Sequence, residues 1–540
     1  MVFQLMATHP STARMALQWQ RANLFQTWTK NSSRNSTTRY YELLAVWKRN
    51  YARMYARRVL EIAAASAASY RLKTQMEAAI EQPSEWVDWQ KKDWEETAMA
   101  TLGKTKLSRF WMASRRLINL ALLSSPLLVL MPLSHVSTTA KDVTWRYALW
   151  GIEQAGPTWI KLVQWASTRH DLFSPEFCVY FGKLRDETEG HSWKETKRIL
   201  EEEFGAAQDV IEMETTPIGS GCIAQVYRGR LKKPTALYPA NTKIAIKVQH
   251  PGIWTKVCVD FYLLHKVTSF LEGIPRLSLQ YLSLGDTIRQ FRNSMLPQLD
   301  LTLEASHLTR FNKNFANDEQ VGFPEPVNDL TSRHVLVETF CEGTPIMEYT
   351  KPGTPKQERE QLAMLGLKTT LKMIFLHDFV HGDLHPGNIL VTGKYPKLKM
   401  QLLDCGLVLE MGPEQHVNLV KILGAFTRKN GKLAGELLVD LKSDSQAGPK
   451  EMDVFIRGMV EICKMDDDSN FIEKVGDYIA DICYLACSNR VKLEGAFVNA
   501  SLAVEIMEGL ASALYPDMRV QQVALPLIVQ AEVMHRLGMH

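Results

Sequence analysis

The sequence predicts an α+β chain of two lobes, the first built around strands and the second mostly helical, preceded by a helical extension. Three observations carry this. A glycine-bearing turn, Gly219-Ser220-Gly221-Cys222-Ile223-Ala224-Gln225-Val226, is followed by an apolar strand with a lysine in it, Ile244-Ala245-Ile246-Lys247-Val248. Next, His381-Gly382-Asp383-Leu384-His385-Pro386-Gly387-Asn388 sets an aspartate and an asparagine five apart, with the apolar run Ile389-Leu390-Val391 behind them. Sixteen residues after Asn388 comes Asp404, at the end of a second apolar run and just before Gly406.

In this order the parts are those from which a bilobal protein-kinase-like fold builds a phosphoryl-transfer centre. Asp383 would orient or deprotonate an attacking hydroxyl. Asn388 and Asp404 would hold Mg²⁺ against nucleotide phosphates, because that cation prefers hard oxygen donors and takes few of them from protein. An H-x-D triplet alone would describe many turns; the full spacing with strand-like runs on both sides is far more specific.

Bulk properties narrow the field. A length of 540 residues implies two or three domains, and a hydrophobic content of 46% supports a true core. A net charge of +4 is too small for this length to argue for nucleic-acid binding. The eight cysteines contain no C-x-x-C pair, and Cys483 and Cys487 stand at the i, i+4 spacing of one helix face. They read as free thiols in a reducing compartment.

Residues 1–60 hold many Arg and Lys, a Ser/Thr/Asn cluster at 31–38, and Glu42 as their one acid, the composition of a mitochondrial transit segment. Residues 61–143 read as helical. Trp86, Trp89 and Trp94 lie among charges there, and 117–140 forms an uncharged apolar run preceded by Arg115 and Arg116. About 20 apolar residues cross a bilayer, yet Pro126 and Pro132 interrupt this run, so a span and a surface hairpin both remain open.

Residues 144–213 begin with an amphipathic pattern in which Lys161 and Gln164 share a face. Residues 214–343 form the strand-rich lobe. Its glycine turn nearly fits G-x-G-x-x-G-x-V, with Ala224 at the third glycine, and makes Gly219, Ser220, Gly221, Cys222 and Val226 candidate nucleotide contacts. Lys247 would hold the phosphates; facing inward, it needs an anionic partner. Glu304, in the helical stretch 298–307, is the candidate, with Asp300 one turn earlier as runner-up. His334 to Phe340, followed by Cys341-Glu342-Gly343, reads as the hinge, with Glu338 among the nucleotide-binding candidates. Residues 344–540 form the helical lobe, with 358–379 leading into the catalytic loop and loops expected at Lys442–Lys450 and Asp466–Asn470. After Asp404 there is no A-P-E motif, and Gly382 replaces the arginine of H-R-D, so the usual phosphorylation switch is missing.

Taken together, Lys161-Leu162-Val163-Gln164, the loop 217–227, Ile244–Pro251, Asp300–Glu304, His381–Asn388 and Asp404–Gly406 resemble the UbiB/aarF-domain-containing family of atypical kinases. With its basic leader, apolar segment and Gly-Ser-Gly-Cys loop, the chain is most similar to a mitochondrial branch of that family. The resemblance implies an extension carrying a K-x-G-Q motif that lies where a peptide substrate would bind. It also implies ATP or ADP with Mg²⁺, a lipid or small-molecule substrate, the mitochondrial inner membrane, and a link to coenzyme Q biosynthesis and its proteins. Three features depart from the family pattern: Val163 for the motif glycine, Gly219 and Gly221 in a loop that is alanine-rich in the family, and Cys405 for the phenylalanine of D-F-G. Two rivals stand beside the enzyme reading: a nucleotide-binding scaffold without turnover, and a small-metabolite kinase of the aminoglycoside-phosphotransferase type. The latter shares the H-x-D-x-x-x-x-N loop but does not account for the Lys161–Gln164 extension.

Overall fold

The computed structural model describes residues 106–537 apart from 135–136, 168–176, 178–179, 182–187, 189, 206–208, 273–283, 440–447, 465–474, 490, 492 and 519. The basic leader, the three tryptophans at 86–94 and the loop expected at Asp466–Asn470 lie outside the described residues.

The apolar run does not form one straight element. Helix α1 (Lys106–Ser124) stops before Pro126, which lacks the N–H a continuing helix needs, and α2 (Leu127–Ser134) follows. Helix α3 (Thr138–Ala155), capped by the Ser137 side chain on the Ala140 N–H, turns back along both. The Thr144 hydroxyl donates to the Leu130 carbonyl at 3.0 Å and the Tyr147 hydroxyl to the Leu123 carbonyl at 2.8 Å. After Gly156, at φ +94°, the chain turns into α4 (Pro157–Ser167). Helix α5 (Trp193–Phe204) leads to the first sheet.

That sheet holds β1 (Ile211–Met213), β2 (Gly219–Ser220), β3 (Ala224–Leu231) and β4 (Lys243–Gln249). Three helices follow: α6 (Ile253–Glu272), α7 (Leu284–Met295) and α8 (Leu301–Asn314). The short β5 (Val321–Gly322) belongs to the second sheet, and β6 (Val335–Thr339) returns to the first. The antiparallel order is β1-β3-β4-β6, with β2 on β3. Side chains alternate across β4. Ile244, Ile246 and Val248 are buried with Ile199 and Leu200 of α5, which puts Ala245 and Lys247 on the opposite face.

The chain then crosses to β7 (Thr344–Pro345), α9 (Lys356–Phe375), β8 (Phe379–His381), β9 (Ile389–Thr392), β10 (Lys399–Leu402) and β11 (Val408–Glu410). The second sheet runs β5-β10-β9-β7, and β11 pairs with β8. Helices α10 (Pro413–Thr427), α11 (Gly431–Leu438), α12 (Pro449–Lys464), α13 (Val475–Ser488), α14 (Gly495–Leu514) and α15 (Val520–Arg536) complete the lobe. This is the α+β kinase-like fold, with a strand-rich lobe, a helical lobe and α3–α4 as the extension.

Two local expectations are corrected. Pro449 and Lys450 open α12 rather than ending a loop, since proline suits the first helical position, where its missing N–H would have no partner anyway. The helix expected from 298 starts at Leu301, after a 3₁₀ turn over Leu296–Leu299. Among the described residues, six cysteines are free thiols and five of these are buried.

The apolar hairpin is joined to the strand-rich lobe by a charged contact. Arg116 of α1 binds Asp260 of α6 through two bonds of 2.7 and 2.9 Å, and Asp260 is fully buried. The same guanidinium donates to the Ala155 carbonyl. Arg116→Ala strands a buried carboxylate and should destabilise the protein by about 3 kcal/mol, with Asp260→Asn in the same chain restoring part of the loss. Urea unfolding checks this; unchanged midpoints would show that the pair does not hold α1.

Candidate active site

The cleft between the lobes is organised on Lys247. Its Nζ lies 2.9 and 3.0 Å from the two carboxylate oxygens of Glu304 and 3.0 Å from Oδ1 of Asp404. β4 supplies the lysine, the first turn of α8 supplies Glu304, and the turn after β10 supplies Asp404. Asp300, the runner-up partner, sits elsewhere. It is the N-cap of α8, accepting from the Thr302 N–H at 3.1 Å and the Thr302 hydroxyl at 2.6 Å.

The electrostatics follow from this crowding. Burial alone would lower the Lys247 pKa, but the carboxylates of Asp404 and Glu304 outweigh it and hold the ammonium well above its usual range. Burial would likewise raise Asp404; Lys247 and then Lys161 overcome it, and Asp404 stays far below the usual carboxylate value. Asp404 lies deep in the molecule yet opens onto the cleft, with its side chain 47% exposed. Glu304 is less favoured. Burial pushes it up to about 7 against the pull of Lys247. Glu338 rises to about 8, through burial and then the charge of Glu304. Register explains why Glu338 feels these groups: it pairs with Ala245, which places it on the Lys247 face of the sheet rather than in the hinge backbone.

Helix α8 holds more than Glu304. Three residues on, on the same helix face, His307 bonds through Nδ1 to the Cys405 carbonyl at 2.9 Å, and Arg310 bonds to Glu410 at 2.7 Å while stacking on Phe379. Neither residue was singled out from the sequence. A histidine three positions after the candidate glutamate was the available signal, since helical neighbours at i, i+3 point the same way. These contacts fix the turn that presents Asp404, a non-glycine residue at φ +51° whose unfavourable conformation needs such support.

The catalytic loop is braced from within. His381 donates through Nε2 to the Leu403 carbonyl at 3.1 Å, so its Nδ1 accepts from the Asp383 N–H at 3.2 Å. Asn388 donates through Nδ2 to the Asp383 carbonyl at 3.2 Å, which leaves its oxygen for a cation. Gly382 has a steric reason: a Cβ there would come within 2.8 Å of Leu407, so the arginine of H-R-D does not fit. From Asp404 the chain enters β11 and then α10 at Pro413, so residues 405–412 are all that stands where an activation segment would be.

The extension closes over the loop. Lys161 of α4 lies 3.5 Å from Oδ2 of Asp383, with its side chain only 13% exposed. Val163 packs, partly buried, with Leu162 and Trp165 against Phe261 and Phe291, so an apolar side chain occupies the motif glycine's position. Gln164 is on the same helix, half-buried. In the glycine turn, Gly219 pairs with Val226 and Ser220 with Gln225, and the Gly221 N–H donates to Ala224. Cys222 is buried in the same apolar cluster as Ile160, so its thiol faces the extension and only its backbone is left for a ligand. Among the described residues the buried Ser220 hydroxyl finds no hydrogen-bond partner; it lies on the Gln225 side of the sheet, away from Lys247. A lysine ammonium with the Asp404 carboxylate and the Asn388 side-chain oxygen on the adjoining turns fits a phosphate chain with Mg²⁺.

The raised carboxyls set a pH dependence. Glu304 and Glu338 have folded values above the ordinary 4.5, so their contribution to stability is complete below that value and disappears as pH rises through about 7 and 8. The melting temperature should therefore fall from pH 6 to pH 9, and Glu338→Gln, which is always neutral, should flatten the fall. Thermal melts across that range check it; parallel curves would mean that Glu338 does not titrate there.

Comparison with known proteins agrees with this geometry. Residues 183–438 match the ABC1 atypical kinase-like domain. A probable serine/threonine-protein kinase, abkC, of Dictyostelium discoideum is 28% identical over 487 residues, covering 77% of this chain and 69% of its own. A mitochondrial ABC1 family protein of Saccharomyces cerevisiae is 28% identical over 485 residues, covering 76% and 74%. The probable protein kinase UbiB of Actinobacillus pleuropneumoniae is 26% identical over 383 residues, covering 70% and 69%. Over residues 183–438 the chain thus carries an ABC1 atypical kinase-like domain, and it is similar to the mitochondrial ABC1 and UbiB proteins.

Proposed function

We propose that this protein is an ATP- and Mg²⁺-dependent atypical kinase or ATPase at the mitochondrial inner membrane that supports coenzyme Q biosynthesis or a related branch of lipid metabolism. The observation that carries the reading is the Lys247–Glu304–Asp404 constellation, with Asp383 and Asn388 on the adjoining loop. Asn388 and Asp404 would hold Mg²⁺, which when bound neutralises charge on the phosphates. Lys247, kept charged by its two carboxylates, would bind the phosphates, with the loop backbone above it. Asp383 would accept the proton of the attacking hydroxyl or water. The short 405–412 segment and the α4 cover leave little room for a peptide, which favours a small or lipid acceptor.

The membrane part of the proposal rests on α1 and α2. Phe110–Ser134 is long and apolar enough to cross a bilayer, with a mean hydropathy of 1.9, and Trp111, Ile118, Leu122, Leu128 and Met131 are exposed. Yet Arg116 is held on buried Asp260, and the Leu123 and Leu130 carbonyls are bonded to α3. A hairpin lying in the membrane surface keeps those contacts, whereas a span would break them. Mitochondrial placement rests on the basic leader and on the mitochondrial relatives.

The Lys161–Asp383 contact favours a second reading, a nucleotide-binding scaffold in which the carboxylate is permanently covered. Turnover decides between them. Mg²⁺-dependent ATP hydrolysis, measured with and without anionic vesicles, should fall by about 100-fold or more in Asp383→Asn and vanish in Asp404→Asn, each of which keeps its shape but loses a charge. Nucleotide binding without turnover in the wild type would move the protein to the scaffold class. Ile118→Glu with Leu122→Glu should abolish vesicle flotation. A protease-protected fragment over 110–134 would instead indicate a span.

A further inference from the structure

Behind the nucleotide loop lies a group of polar side chains that the reaction does not use. His191, just before α5, and His250, just after β4, meet Nδ1 to Nδ1 at 2.8 Å with their rings edge to face. His250 Nε2 lies 2.7 Å from the Gly221 carbonyl, and His191 Nε2 lies 3.0 Å from the Thr196 hydroxyl. Thr196 is buried, 2.7 Å from the Tyr227 hydroxyl, and accepts from Gln225 at 3.2 Å.

Donor counting gives this group a direction. A carbonyl only accepts, so His250 Nε2 carries a hydrogen. A neutral His250 then accepts at Nδ1, and the hydrogen between the rings belongs to His191. His191 Nε2 in turn accepts from Thr196, whose oxygen is supplied by Tyr227 and Gln225. The relay thus runs from the core of β3 to a single loop carbonyl. Thr188 reaches the same carbonyl through its hydroxyl at 2.6 Å, and its N–H donates to the Ser220 carbonyl at 3.1 Å. With both acceptor positions of Gly221 used, the 221–222 peptide plane cannot rotate. In a trans peptide the following N–H points the opposite way, so the Cys222 N–H is aimed away from the histidines. Glycine residues would otherwise leave this turn loose, since Gly219 and Gly221 restrict the backbone little.

We propose that His250 and His191 are positioning residues for nucleotide binding, fixing the 221–222 peptide plane through the Gly221 carbonyl so that the Cys222 N–H is set for phosphate. The inference rests on the reading of this turn as the nucleotide loop. It also carries a pH signature. An added proton must enter at His191 Nε2, which reverses the Thr196 hydroxyl, or at His250 Nδ1, which sets two N–H donors face to face. Burial and the neighbouring ring hold His191 down to about 4, with Glu195 of α5 opposing them. Burial also lowers His250, aided by Lys256 of α6 and opposed by the Gly221 carbonyl. The other ionisable group in the cluster is the buried Tyr227 hydroxyl.

Binding of N-methylanthraniloyl-ATP with Mg²⁺ to the full chain, between pH 4 and pH 8.5, tests this. His250→Phe removes the donor and should raise Kd about tenfold at pH 7.5, the worth of one well-placed hydrogen bond. His250→Gln keeps an N–H at similar reach and should bind like the wild type at pH 7.5, but should lose less affinity than the wild type toward pH 4, because the amide takes up no proton. Comparing variants at each pH cancels the titration of the nucleotide itself and of Glu304 and Glu338. If the phenylalanine variant does not fold, the glutamine variant still decides on its acid limb. Wild-type affinity and an unchanged profile in His250→Phe, or an acid limb in His250→Gln as steep as the wild type's, would overturn the positioning role alone. No binding by the wild type at any pH would overturn the nucleotide-site reading and this inference with it.

Discussion

An ammonium group sunk between two lobes is the constraint on which this structure depends. Lys247 stands on a strand whose other face is packed with Ile244, Ile246 and Val248, so it has nowhere to go but the cleft. Removing it from water without an anion would be costly, and Glu304 and Asp404 supply the compensation from a helix and from the second lobe. Each carboxylate is itself unfavourable to bury. The three groups therefore stabilise one another, and in doing so set the position of α8 against β4 and of the strand-rich lobe against the helical one.

Helix α8 carries the result outward. Glu304, His307 and Arg310 form a row at i, i+3, i+6 that contacts the lysine, the Cys405 carbonyl and Glu410. The turn holding Asp404 is thus braced by the same helix that braces Lys247. This explains how a small residue at 405 is tolerated. Cys405 is fully buried, and its backbone, rather than a large aromatic ring, is gripped. The same economy applies at Gly382, where Leu407 fills the space of the absent arginine. With no long activation segment to order, no phosphate-reading side chain is needed at that position.

The N-terminal side also reaches the site. Helix α4 sets Lys161 on Asp383 and shares an apolar cluster with the tip of the glycine turn, so the extension touches the catalytic loop and the nucleotide loop at once. The exposed hairpin α1–α2 is tied through Arg116 to α6 and to the Ala155 carbonyl at the end of α3, one residue before the turn into α4. A continuous series of packed and hydrogen-bonded elements therefore runs from the apolar hairpin to Asp383.

The sequence by itself determined the kinds of group in the site and their order along the chain. Spacings such as the five from Asp383 to Asn388, or the lysine within an apolar strand, are local, and local geometry is set by neighbouring residues alone. Helix and strand periodicity likewise placed both lobes. What the chain could not settle locally was which distant groups meet. Asp300 and Glu304 were both one helix away from Lys247, and only the start of α8 at Leu301 turned the first into a cap and the second into the partner. Lys161 and Asp383 are 222 residues apart, and nothing in the helical pattern around Lys161 distinguishes a solvated lysine from one on a catalytic loop. The bend of the apolar run, the inward face of Glu338 and the relay through His191 and His250 have the same origin. Each depends on how whole elements pack, because burial, register and the exclusion of water are properties of the assembled tertiary structure, not of any stretch of chain.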